Sequence, residues 1–228
     1  MEPTNTNPHQ QNEVPEKPAR ISTKQVFSGK WLKMNFAEYP TRDGSTYTYE
    51  YVERTTTKNG IDGTFLVGIM KFPQTKQPPK IILVGNFRPP LDKYVLEFPA
   101  GLMDQPDDCL SDAIRELKEE TGYTPTKVLE VFKTDQVPQV SPALYIDPWK
   151  SNESEVLIIV EVDGDDEVNK NVKQDLEDTE RIVVHLFDIT TNLWQDIVKL
   201  AKEKDYVIES KVYAFIVGLV LSKQLKLE

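Results

Sequence analysis

An alternation of strand-like and helix-like stretches predicts an α/β protein, preceded by a segment built from strands alone. Three observations carry this. Tyr47, Tyr49 and Tyr51 alternate with Thr48, Glu50 and Val52, the period of a half-buried strand. Short apolar runs bounded by Pro or Gly follow, the most continuous being Val156-Leu157-Ile158-Ile159-Val160, and read as further strands. Helical spacing appears in Ala113, Ile114 and Leu117, and again in Leu193, Trp194, Ile197, Val198 and Leu200, as on the apolar side of amphipathic helices.

The 228 residues suit one domain with an appendage, and 39% hydrophobic residues suffice for a core. A formal net charge of -10 argues against nucleic acid and against an anionic membrane surface, because both demand basic patches. An anionic substrate must then be met by local arginine and a metal. Cys109 is the single cysteine, so no internal disulfide forms and a reducing compartment, cytosol or nucleus, is expected. His9 and His185 are the only histidines, which disfavours His-ligated zinc and a Ser-His hydrolase. The longest apolar run, Val212 to Leu221, is too short to span a bilayer.

In chain order, residues 1–20 carry Pro3, Pro8, Pro15 and Pro18 among polar residues and form an expected disordered tail. Residues 21–57 read as strands, with Asp43-Gly44 as a turn. The tyrosines of this segment, and Trp31 after Ser28-Gly29-Lys30, fit either packing or a platform for a base. Residues 58–228 form the main domain. Strands are expected at Phe65–Lys71 and Lys80–Phe87, joined through Gln77-Pro78-Pro79. Arg88 ahead of Pro89-Pro90 is either a salt-bridge partner or a planar fork for a diphosphate.

Tyr94–Phe98 is a short strand that leads to a helix from about Cys109 to Thr121, with Asp108 as N-cap and Gly122 as its stop. Val128–Phe132 and Glu155–Val162 follow as strands. Between them the residues around Pro138 to Trp149 form a loop long enough to line a pocket. Asp163 to Glu180 holds eight acids in eighteen residues and reads as a mobile, solvated loop. Glu177, Asp178 and Glu180 in it are candidate general bases. A strand at Arg181–Phe187 and helices at Asn192–Lys204 and Ser210–Lys223 complete the chain. His185 is expected in the core with an ordinary hydrogen-bond partner.

The chemistry concentrates at the end of the first helix. Glu116, Glu119 and Glu120 stand at i, i+3 and i+4, one helical face. Clustered acids at a helix C-terminus repel one another and oppose the macrodipole, costing some tenths of a kcal/mol per pair. Taken alone the cluster fits either a solvated acidic face or a site for a cation, for which hard carboxylate oxygens suit Mg²⁺ or Mn²⁺.

Gly101, five residues, Asp107, seven residues, then Arg115-Glu116-Leu117-Lys118-Glu119-Glu120-Thr121-Gly122-Tyr123 resembles the Nudix box, G-x5-E-x7-R-E-U-x-E-E-x-G-U. The first acid departs from the pattern, Asp107 standing where Glu is usual. From Gly29 to Gly218, through GKWLK, ERTT, FRPP and EFPAGL, the chain is similar to the ADP-ribose pyrophosphatase (ADP-sugar diphosphatase) branch of that family. The resemblance implies an α/β/α sandwich with a mixed sheet, and a homodimer that exchanges its N-terminal strand arm. It assigns magnesium, with Mn²⁺ as a substitute, to Ala100, Glu116, Glu120 and Glu97, and makes Glu119 a further acid of the site.

The same resemblance directs Arg54 and Arg88 at the diphosphate and terminal ribose, and Trp31 at the base. Tyr49 replaces a second stacking tryptophan, and Leu102 is a substrate contact. Arg115 is implied to pair with Asp107, and Glu180 to be the base. The implied reaction is metal-dependent cleavage of ADP-ribose to AMP and ribose 5-phosphate. Another nucleoside diphosphate derivative, such as NADH or an oxidised deoxynucleoside diphosphate, and a non-catalytic nucleotide sensor are the alternatives.

Overall fold

The structure, a computed structural model, describes residues 17–57, 59–104, 108–130 and 140–225. Its chain divides into two compact units, one of residues up to Thr55 with Trp149–Ser151, the other of Thr56–Pro148 and Asn152 onward.

The first unit is an antiparallel sheet, β1 (Ser22–Ser28), β2 (Leu32–Pro40) and β3 (Thr46–Arg54), in that spatial order. The turn before β3 is held by Asp43, which accepts from Ser45 N at 3.1 Å and from the Thr41 and Ser45 hydroxyls. These bonds hold its carboxyl down at about 2. Tyr47 and Tyr49 are exposed, Tyr47 with its ring stacked on Tyr39 at 5.9 Å, so the alternation marks a strand with an aromatic side open to water. Trp149–Ser151 lies along the edge of β3. There Val52 N donates to Lys150 O at 2.9 Å, and the Tyr49 hydroxyl donates to Trp149 O.

The second unit has nine strands among the described residues: β4 (Gly63–Lys71), β5 (Lys80–Arg88), β6 (Lys93–Glu97), β7 (Ala100–Leu102), β8 (Lys127–Val128), β9 (Leu144–Tyr145), β10 (Ser154–Asp163), β11 (Ile182–Asp188) and β12 (Val207–Ile208). The main path runs β12-β6-β5-β4-β10-β8, with β11 on β5, β7 on β4 and β9 on β10. β4 and β10 pair in parallel, as do β6 and β12, and the remaining pairs are antiparallel. The sheet is therefore mixed.

Strand alternation sorts the core into two faces. Phe65, Val67, Ile81, Leu83 and Leu96 pack with α2 (Leu193–Lys204) and α3 (Ser210–Leu225) through Leu193, Ile197, Val212 and Ile216. Leu66, Met70, Ile82, Ile158 and Val160 face the other way, toward Ala113 and Leu117 of α1 (Cys109–Thr121). Ala113 and Leu117 are fully buried. A buried leucine contributes about 1.5–3 kcal/mol, which outweighs the tenths lost to each carboxylate pair and keeps α1 helical to its acidic end. Asp108 accepts from Ser111 N at 2.9 Å as N-cap, and Gly122 ends the helix at φ 77°. A Cβ there would lie 2.8 Å from Lys173 O and Val172 Cβ, so position 122 needs glycine for conformation and space alike.

Three expectations change. The strand expected at 128–132 is the short β8, and residues 131 and 132 lie outside those described. The acidic stretch from 163 is exposed over most of its length, as expected of a solvated loop, but it is anchored near its start, where Asp165 and Asn169 are buried. Asp165 accepts from Gln74 N, Thr75 N and Thr75 Oγ1 at 2.6, 3.1 and 2.6 Å, and Asn169 bonds Thr124 and Asp163. His185 lacks its expected partner. Its ring sits edge-on to Tyr206 and tilted to Phe187, with Nε2 buried and unbonded, and burial, then Lys204, pushes its pKa down. No described helix is long and apolar enough to cross a membrane.

Candidate active site

The antiparallel pairing of β5 with β6 and of β7 with β4 brings Arg88, Glu97 and Ala100 to the acidic end of α1. Glu120 is 3% exposed and accepts from Ala100 N at 3.1 Å. Burial drives its pKa well above the carboxylate range against that bond, and the charges of Glu116, Glu97 and Glu180 add to the rise. Glu116 lies over Gly101. A Cβ at position 101 would stand 2.0 Å from the Glu116 carboxyl carbon, so any larger residue would push that carboxylate from its place over the strand. Burial lifts Glu116 to about 7, Arg115 opposing and Glu119 and Glu180 assisting.

Arg115 ties the outer acids together. Its guanidinium donates to Glu119 at 2.8 Å, and to Glu116 and Asp104 at 2.9 Å each, with Asp112 at 3.6 Å. Asp107, the acid expected to hold Arg115, lies outside the described residues. Glu97 is 5% exposed and receives Arg88 as a fork, Nη2 at 2.5 Å and Nε at 3.1 Å. Burial raises Glu97 while Arg88 and Asn86 pull it down. Arg88 itself stays raised despite burial, through Glu97 first and then Glu120 and Glu209. Of the two readings of Arg88, the salt-bridge partner is the one seen, and its side chain is still 44% exposed.

Glu97, Ala100, Glu116, Glu119, Glu120, Glu180, Arg88 and Arg115 therefore share one neighbourhood of the second unit. Glu180 reaches it by charge, while its carboxylate accepts from Glu177 N at 2.9 Å. Leu102 is half-buried opposite Gly63. Trp31, Tyr49 and Arg54 belong to the first unit. Trp31 is half exposed with Lys30 Nζ 4.4 Å from its ring centre. Leu32 pairs with Arg54 and Ala37 with Tyr49. Five strand steps, about 17 Å, thus separate the Trp31 end of the hairpin from Tyr49.

The sequence reading passed over Glu155, Glu209 and Lys211. Lys211 Nζ bonds Glu155 at 2.6 Å and Glu209 at 3.0 Å, and lies 4.5 Å from the Phe65 ring centre. A charged pair opening an otherwise apolar helix was the available signal.

Among the described residues no group of three or more His, Cys, Asp or Glu is arranged as a metal cage. Each acid is instead answered by a protein donor, Arg115, Arg88 or Ala100 N. The donor set nevertheless fits a divalent cation in its chemistry. Glu116 and Glu120 are hard-oxygen groups held together while burial and mutual repulsion disfavour their charge, a condition that a dication relieves.

The NUDIX domain model matches residues 66–206. The chain is 34% identical over 211 residues to the ADP-sugar pyrophosphatase of Mus musculus, covering 91% of this chain and 88% of that protein. It is 30% identical over 202 residues to the ADP-ribose pyrophosphatase of Saccharomyces cerevisiae, covering 88% and 82%. A solved structure described as an ADP compounds hydrolase superposes with a TM-score of 0.55 at 16% identity, covering 81% and 84%, a likeness of fold. With the acid edge of α1 in place on a mixed sheet between two helical layers, the chain belongs to the NUDIX domain family.

Proposed function

We propose that the protein hydrolyses the diphosphate of ADP-ribose and related ADP-sugars, with Mg²⁺, to AMP and a sugar phosphate such as ribose 5-phosphate. The observation that carries this is the buried, charge-crowded carboxylate set of Glu97, Glu116 and Glu120 in a chain similar over most of its length to proteins named for that activity.

A water oxygen bonds to one phosphorus, the bridging P–O bond breaks, and the water's proton leaves. Glu116, Glu120, Glu97 and the backbone of Ala100 would hold the metal, with Glu119 beside them. The metal supplies charge for the phosphate oxygens and lowers the pKa of a bound water. Glu180 is the acid assigned to take the proton. Arg115 keeps Glu116 and Glu119 oriented, while Arg88 and Arg54 answer the diphosphate charge by planar forks. Trp31 and Tyr49 offer ring faces to the base and Leu102 an apolar contact. The distance along one hairpin between the Trp31 end and Tyr49 supports a homodimer, since a base held by both rings would need the second from another copy. The lone Cys109 supports a cytosolic or nuclear setting.

AMP release from ADP-ribose, measured with Mg²⁺ and with EDTA, tests the reading beside Glu120→Gln. Metal-dependent release by the wild type and a loss of about a thousandfold in the variant are expected. Near wild-type kcat in the variant would sink the metal assignment. Tyr49, with a smaller ring than indole, favours a second reading in which another nucleoside diphosphate derivative is preferred; kcat/KM across such substrates decides it.

A further inference from the structure

The parallel pairing of β12 with β6 ends at Ile208 opposite Leu96, and Glu209 N donates to Leu96 O at 3.0 Å. One residue further along each strand stand Glu209 and Glu97, two carboxylates on the same face of neighbouring strands. Both lie within electrostatic reach of Arg88. Arg88 nevertheless forks on Glu97 alone, while Lys211 takes Glu209 at Oε1 and leaves its buried Oε2 without a hydrogen-bond partner among the described residues. Lys211 is itself fixed on three sides, by Glu155, Glu209 and the Phe65 ring.

Two carboxylates and one arginine make a choice of partners, and the lysine decides it. We propose that Lys211 is a positioning residue for Arg88: by occupying Glu209 it removes the competing carboxylate and keeps the guanidinium forked on Glu97, beside the acid edge. Without the lysine charge, the unfilled oxygen of Glu209 draws Arg88 toward β12. The fork then turns from the direction in which it serves a diphosphate. This deepens the proposed function and rests on its assignment of Arg88 to the substrate.

The test compares wild type, Lys211→Met, Lys211→Arg and the double variant Lys211→Met with Glu209→Gln. Two readouts are used: steady-state hydrolysis of ADP-ribose with Mg²⁺, and the Arg88 Nε–H resonance in ¹⁵N NMR, assigned by its loss in Arg88→Lys. Lys211→Met is expected to raise KM roughly tenfold with kcat within about a factor of two, because a charge-assisted contact is misdirected. Its Arg88 resonance should move. The double variant should return both toward wild type, and Lys211→Arg should resemble wild type.

A resonance and KM unchanged in Lys211→Met, or a double variant no better than the single, would overturn the proposal. If Lys211→Met does not fold, Lys211→Gln gives the same comparison with a polar side chain. A resonance that moves and returns, with no hydrolysis of ADP-ribose by any protein, upholds the positioning role and removes the substrate reading instead.

Discussion

Two acid-rich regions of one chain treat their carboxylates in opposite ways. In the stretch from Asp163, donors are aimed at the acids: Asp165 gathers two backbone N–H groups and a hydroxyl, and these bonds lower its pKa against the opposing effect of burial. At the end of α1, Glu116 and Glu120 are buried among other acids, and both are pushed upward. The first set of acids helps to fold the chain, while the second set is held in place by the fold. Carboxylates retained against their own charge in this way are candidates for a ligand's site.

The sharpest way to break this contrast is Gly101→Ala. The new methyl group would occupy the space of the Glu116 carboxyl and displace it, so a fall in kcat/KM of about a hundredfold or more is expected. Activity close to wild type would mean that Glu116 need not lie over the strand. Asp165→Ala probes the other region. Three bonds vanish and the turn at Gln74-Thr75 loses its anchor, which should lower Tm by about 5 °C and leave kcat/KM for ADP-ribose near wild type.

The smallest effect is on pH dependence, in metal-free protein. Glu116 titrates near 7 when folded against an ordinary 4.5. Between these values the native state keeps a proton that the unfolded chain has lost, so stability declines as pH rises through this window. Urea midpoints at pH 5 and pH 7 should reveal a loss that Glu116→Gln lessens by on the order of 1 kcal/mol, the remainder belonging to the other raised carboxylates, Glu120 above all. Asp43, held at about 2, works in the opposite sense and below this window, its contribution being lost only as pH falls from 3.8 toward 2. An equal slope in the variant would count against burial as the origin of the shift.

Local features were legible in the sequence. Asp108 and Gly122 bound α1 because a cap and a left-handed stop act within a few residues, and the i, i+3, i+4 spacing alone put three acids on one helical side. Partners distant in sequence were not legible. Asp165 is anchored to residues ninety positions away, so its stretch read as solvated. His185 lies among aromatic rings, where strand alternation predicts burial without saying what meets the imidazole. Glu209 comes beside Glu97 through a parallel strand of two residues, too short to leave a period.

The same distance in sequence has a bearing on how the protein is made. β4 and β10 run side by side over nine residues, yet Gly63 and its partner Glu155 are 92 positions apart. A nascent chain that ends before Ser154 already carries Glu97, Ala100, Glu116, Glu119 and Glu120, but it lacks the strand against which β4 closes. Pairings of such long range form late and slowly. Until translation passes Asp163, that edge of β4 has no full-length parallel neighbour, and an uncovered strand edge is a template for pairing with other chains.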